Sequence, residues 1–157
     1  MARKTDRESR TVARRLAVLL LAFYASYYLL AVILTAAFQS PWRGVTGVAT
    51  YPFEHDNELF NPSKGGAALG RWLAMVLTYL AALAVNYFYI KTTRLTWDYA
   101  CSASLLHLAL TCAVTTSFPL NWIWWLTIVL LTAALWLAGD YTVYKFVDLR
   151  DIELNNT

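Results

Sequence analysis

At 157 residues, with 59% hydrophobic side chains against 15% charged ones, the chain carries too little polar surface to solvate a globule of its size, which excludes a water-soluble fold. The formal net charge of +3 is unevenly spread and no folded basic face accompanies it, so nucleic-acid binding has no support. One histidine and two cysteines in the apolar stretches, with His55 in the connecting segment, give no metal-ligand spacing.

Residues 1–15 form a basic tail holding Arg3, Lys4, Arg7, Arg10, Arg14 and Arg15, without apolar periodicity up to about residue 12, and read as mobile there. A positive-inside anchor accounts for the tail; contact with anionic lipid, at about 1 kcal/mol per basic residue near the surface, is the alternative. Leu16 to Phe38 follows without a charge for 23 residues, beyond the roughly 7–15 of a signal-peptide core. It reads as a first span. The 39–71 segment is the one sizeable connection. Pro41, Pro52, Pro62 and five glycines oppose a long helix there, yet Tyr51, Phe53, Leu59 and Phe60 are too apolar for a free linker, so it is expected to fold back onto the ends of the spans.

Three further charge-free stretches follow: Trp72 to Ile90, Tyr99 to Phe118, and Leu120 to Gly139. Each is long enough to cross a hydrocarbon core about 30 Å thick as a helix rising 1.5 Å per residue. Short connections, residues 91–98 and the Phe118-Pro119 turn, predict that spans two, three and four are antiparallel neighbours. The expectation is an all-α, multi-pass membrane protein: a single domain of four transmembrane helices, with residues 140–157 as a second tail.

Basic residues accumulate on the cytosolic side of span ends. With four spans, ten of them fall on one side: the six of the N-terminal tail, Lys91, Arg94, Lys145 and Arg150. Arg43, Lys64 and Arg71 fall on the other. Both termini are therefore expected in the cytosol and the 39–71 loop in the lumen. Interfacial aromatics are expected to mark the boundaries, with Trp42, Trp72, Trp122 and Trp124 on the lumenal side and Trp97, Tyr89, Tyr99 and Tyr141 on the cytosolic side.

Along the third span Ala100, Ser104, His107, Thr111 and Thr115 share a narrow arc at 3.6 residues per turn. Small and hydroxyl side chains on one arc let helices approach closely, so the stripe reads as packing, with a ligand path as the competing reading. His107 falls near the membrane midplane, where an ionisable side chain is a functional candidate. As a neutral ring it needs only a donor and an acceptor, which Ser26, Tyr27, Tyr28, Tyr79, Thr127 and Thr132 offer at similar depth. A Ser104–His107–Asp98 triad is excluded by geometry, because Asp98 and His107 are 2.5 turns apart and point to opposite sides of one helix. Cys101 and Cys112 are roughly 16 Å apart along that helix and cannot bridge. His55 with Glu54, Asp56 and Glu58 is a weak carboxylate cluster expected to be solvated. No catalytic, cofactor or metal site is predicted.

The second half of the chain carries a run of distinctive pieces: Trp97-Asp98-Tyr99 opening span three, His107 within it, Phe118-Pro119 at the turn, Trp124-Trp125 entering span four, Gly139-Asp140-Tyr141 closing it, and Asp148 to Asn155 in the tail. With Tyr27-Tyr28 in span one, this pattern resembles the SYS family of Golgi integral membrane proteins. Where the family usually carries a histidine early in span three, this chain has Ser104. The resemblance implies a non-enzymatic trans-Golgi receptor that recruits an Arf-related small GTPase with an acetylated N-terminus and so supports vesicle tethering. It implies no cofactor and no small-molecule substrate. Trp97, Asp98, Tyr99, Gly139, Asp140 and Tyr141 are the candidate docking residues on this reading. A small four-span transporter or channel, using the polar face of span three, is the alternative.

Overall fold

The computed structural model describes residues 9–40, 44–90 and 96–143. Outside them lie Arg3, Lys4, Arg7, Pro41, Trp42, Arg43, Lys91, Arg94, Lys145, Arg150 and the Asp148 to Asn155 run. The described residues form α1 (Ser9–Ala37), α2 (Gly44–Thr50), α3 (Asn57–Phe60), α4 (Gly66–Val85), α5 (Thr96–Thr115) and α6 (Trp122–Val143). Single 3-10 turns at Tyr51–Phe53 and Pro62–Lys64 link the short helices, each opened by the proline that ends regular α-helix there.

The four long helices alternate in direction. Phe38 at the end of α1 meets Gly66 and Gly70 at the start of α4, and Trp97 at the start of α5 meets Trp136 late in α6. One bundle end therefore gathers the start of α1, the exit of α4, the start of α5 and the finish of α6.

Residues 9–12, expected to be mobile, are part of α1. Val12 and Leu16, four apart on the same helical face, already pack on the core and hold that first stretch. α4 starts six residues before the expected Trp72. A Cβ at Gly70 would sit 3.0 Å from Phe38 Cδ2 and one at Gly66 3.3 Å from Phe38 Cδ1, so this glycine pair, one turn apart, permits the close α1–α4 approach. That approach revises the expected order of neighbours. α4 gives its long faces to α1 and α6 and meets α5 mainly at Tyr79. After Val85 the helix widens into a π-turn over Asn86–Ile90. α6 runs on to Val143, which puts Gly139-Asp140-Tyr141 inside the helix and not beyond it.

Inward stripes at helical spacing build the core: Leu19, Phe23, Tyr27 and Ala31 from α1, Met75, Tyr79 and Ala82 from α4, Ala100, Ser104, His107 and Thr111 from α5, Trp124, Ile128 and Leu135 from α6. The outer surface is apolar, with Leu21, Leu29, Leu105, Leu130 and Leu137 all well exposed, the arrangement a lipid solvent favours.

Three helical stretches are long and apolar enough to cross a membrane: Ser9–Ala37, Gly66–Tyr89 and Trp122–Tyr141, with mean hydropathies of 2.3, 1.7 and 1.8. The fourth, α5, has 20 residues, but Ser102, Ser104, His107, Thr111 and Thr115 dilute its leucines.

Candidate functional site

The polar residues of α5 meet the other three long helices at the centre of the bundle. His107 is fully buried, with its Nδ1 3.2 Å from the Tyr24 hydroxyl. Phe53 and Trp124 stack on the ring at centroid distances of 5.9 and 6.3 Å, Phe23 meets it edge-on at 5.7 Å and Tyr27 lies tilted against it at 6.0 Å. Its Nε2 has no hydrogen-bond partner among the described residues. The partner is thus Tyr24, not one of the six side chains that depth alone proposed. Tyr79 and Thr132 bond Ser104 instead, at 2.9 and 2.6 Å, while the Thr127 hydroxyl accepts from Trp72 Nε1 at 3.1 Å. Thr111 and Thr115 donate to carbonyls one turn back, at 2.8 and 2.7 Å, which satisfies their hydroxyls within their own helix. Tyr27 is buried against His107, and Tyr28 donates to the Ala49 carbonyl at 3.1 Å, tying α1 to α2.

Trp124 departs from its expected place in the interfacial belt. It is completely buried between His107 and His55, whereas Trp122, two residues earlier and on the opposite face, is 68% exposed. The Phe118-Pro119 turn is fixed by Trp125, whose Nε1 donates to the Pro119 carbonyl at 2.7 Å and whose ring lies 5.8 Å from the exposed Phe118.

The connecting segment enters the bundle more deeply than expected. Tyr51, Pro52, Phe53 and Phe60 are buried, and Phe53 reaches the ring of His107. Directly after Phe53, Glu54 pairs with Arg71 Nε; both are largely buried, so the expectation of a solvated carboxylate fails for Glu54. Arg71 also donates to the Ala67 carbonyl at 3.1 Å and sits 5.2 Å over the Tyr51 ring. A guanidinium that offers several donors and a flat face can serve all three partners at once. Beside this latch opens a groove of about 720 Å³ between residues 54–59 and 115–122.

At the opposite bundle end lie the six candidate docking residues. Trp97, Asp98 and Tyr141 are exposed, Asp140 is half-buried, and Tyr99 and Gly139 are buried. The Trp97 ring meets Trp136 edge-on at 4.9 Å, which braces the start of α5 against α6. One Asp140 carboxylate oxygen is buried without a hydrogen-bond partner among the described residues, as are both amide atoms of Asn86 in the π-turn. Buried polar atoms are ordinarily satisfied, so these three atoms stand out among the described residues. Among the described residues no group of three His, Cys, Asp or Glu side chains is placed to hold a metal ion.

Sequence reasoning missed Tyr24, Phe53, the Glu54–Arg71 pair and the Gly66/Gly70 contact. The last left a readable signal, two glycines four apart at the head of an apolar helix.

A polar, aromatic-walled centre sealed inside an apolar outer surface defines a helical integral membrane protein. Neither a search of curated proteins nor one of solved structures returns a match. A family model does: SYS1, described as integral membrane protein S linking to the trans Golgi network, matches residues 3–154. The chain belongs to that family and is an integral membrane protein of the trans-Golgi network.

Proposed function

We propose that this protein is a non-enzymatic receptor that recruits an Arf-like GTPase to the trans-Golgi membrane through the end of the bundle bearing Trp97, Asp98, Asp140 and Tyr141. The observation that carries the reading is the family match over residues 3–154. The exposed Asp98, and an Asp140 with one carboxylate oxygen that finds no hydrogen-bond partner among the described residues, support it.

On this reading α5 is a fourth span, and both termini face the cytosol. Two facts support that. The polar side chains of α5 point inward while Leu105, Leu106, Leu110 and Val114 face outward, so its lipid surface is apolar although its average is not. The basic residues also divide ten to three between the two ends in the four-span arrangement. The inward stripe is occupied by hydrogen bonds between helices, which favours packing over a transport path.

Asp98→Asn and Asp140→Asn each keep size and remove charge. The expected result in cells is a loss of the GTPase from the Golgi, with the abundance of the receptor and its thermal unfolding in detergent unchanged. Normal GTPase localisation in the double variant, or in cells depleted of the protein, overturns the docking role.

A further inference from the structure

We propose that the groove between residues 54–59 and 115–122 binds the headgroup of a phosphatidylcholine-type lipid from the leaflet at that end of the bundle. The groove lies at the end away from the candidate docking residues, and the inference does not depend on which compartment it faces.

At about 720 Å³ the groove falls in the range that holds a small-molecule group. Its lining mixes polar side chains, among them His55, Asp56 and Ser117, with the apolar Phe118, Leu120 and Trp122. No lysine or arginine lines it, and the charge of Glu54 is already matched by Arg71. Asp56 is different. It precedes α3 yet makes no capping bond with that helix, and no ion pair engages it among the described residues. Among the described residues the groove therefore presents one carboxylate without an ion pair, together with two aromatic rings, Trp122 at 68% and Phe118 at 58% exposure. A carboxylate with aromatic faces is the chemistry that recognises a quaternary ammonium.

Position selects a lipid over a soluble ammonium compound. Trp122 is the first residue of an apolar helix, at the depth where indole rings meet headgroups. From it Leu126, Val129 and Leu130 continue down the outer face of α6 at helical spacing, an exposed apolar track for an acyl chain. Asn121 also lines the groove; its side-chain oxygen accepts from the Ile123 amide at 3.0 Å and its amide nitrogen is buried.

The test uses the full-length chain purified in mild detergent, offered dioleoylphosphatidylcholine and dioleoylphosphatidylglycerol in equal amounts. Retained lipid is counted by native mass spectrometry. The expected result is one phosphatidylcholine retained in preference to phosphatidylglycerol, with retention falling at least fivefold in Asp56→Asn and in Trp122→Ala. Glu58→Gln, a neighbouring exposed carboxylate outside the groove, should retain it normally. Both groove residues are exposed, and unchanged lipid-free thermal unfolding of the two variants establishes that they are folded. Equal retention of the two lipids overturns the proposal in favour of non-selective boundary lipid. Retention unaffected by either groove variant overturns the site, and displacement of the lipid by free phosphocholine at equal concentration overturns the role of the acyl chain.

Discussion

The buried Glu54–Arg71 pair makes a quantitative prediction about the segment that enters the bundle. Glu54→Gln removes the negative charge and leaves a guanidinium that is 5% exposed with neutral partners alone: the glutamine amide oxygen, the Ala67 carbonyl and the Tyr51 ring. Breaking a buried pair from one side costs about 3–5 kcal/mol, and these neutral contacts favour the lower end, about 3 kcal/mol. For a chain of this length each kcal/mol moves the melting temperature by roughly 2–4 °C, so a fall of about 6–12 °C is expected. Thermal unfolding in detergent, followed by tryptophan fluorescence, reads it directly, because the buried Trp124 ring lies 6.4 Å from the His55 ring in the same segment. Glu58→Gln is the internal control. Its partner Lys64 is 3.0 Å away, but the two side chains are 43% and 69% exposed, and an exposed pair is worth under about 1 kcal/mol. Replacing both buried partners, Glu54→Leu with Arg71→Met, should restore most of the loss, since the penalty comes from the charge left behind. A Glu54→Gln shift no larger than that of Glu58→Gln would refute the reasoning.

At Gly70, alanine should cost about 1 kcal/mol, because its Cβ meets the Phe38 ring at 3.0 Å and the ring must shift; leucine should separate α1 from α4 and abolish a stable monomeric fold on size-exclusion chromatography. Phe53→Ala should cost about 3–5 kcal/mol by opening a void over His107, read in the same melting assay. Thr116 occupies the left-handed region at φ 53°, unfavourable for a β-branched residue, so Thr116→Gly should raise the melting temperature, by about 1 kcal/mol in stability. Asn155 heads an Asn-Asn-Thr acceptor sequence, and with cytosolic termini it should carry no glycan by mass spectrometry; a glycan there would reverse the orientation.

What the sequence revealed follows from how far each interaction reaches. The inward face of α5 was readable because Ala100, Ser104, His107 and Thr111 repeat at helical spacing within one element. The faces of α6 were not, because that helix is apolar around its whole circumference and periodicity offers no direction. Hence Trp122 and Trp124 read alike, while the fold sends one outward and buries the other. The length of 39–71 together with its apolar Tyr51, Phe53, Leu59 and Phe60 signalled that it was no free linker. The contact of Phe53 with His107 joins residues 54 positions apart, and no local pattern encodes it. The inward turn of Glu54 was equally hidden, since its partner Arg71 was read as one more charge at a span boundary. The docking candidates were legible as a motif, but their division into exposed Trp97, Asp98 and Tyr141 and buried Tyr99 and Gly139 needed the helix pair to be assembled.

The contribution of Tyr51 and Phe53 to the core has a consequence for biogenesis. Those residues touch α1, α4 and α5, so the interior cannot close when the first hairpin of helices enters the membrane. Glu54 and Arg71 can meet as soon as α4 is in place, but Phe53 finds the ring of His107 only after α5 arrives. Until then the hairpin exposes an aromatic plug and an unfilled seam, an open species that truncation after α4 should trap. Arrival of α5 is, on this geometry, the event that seals the interior.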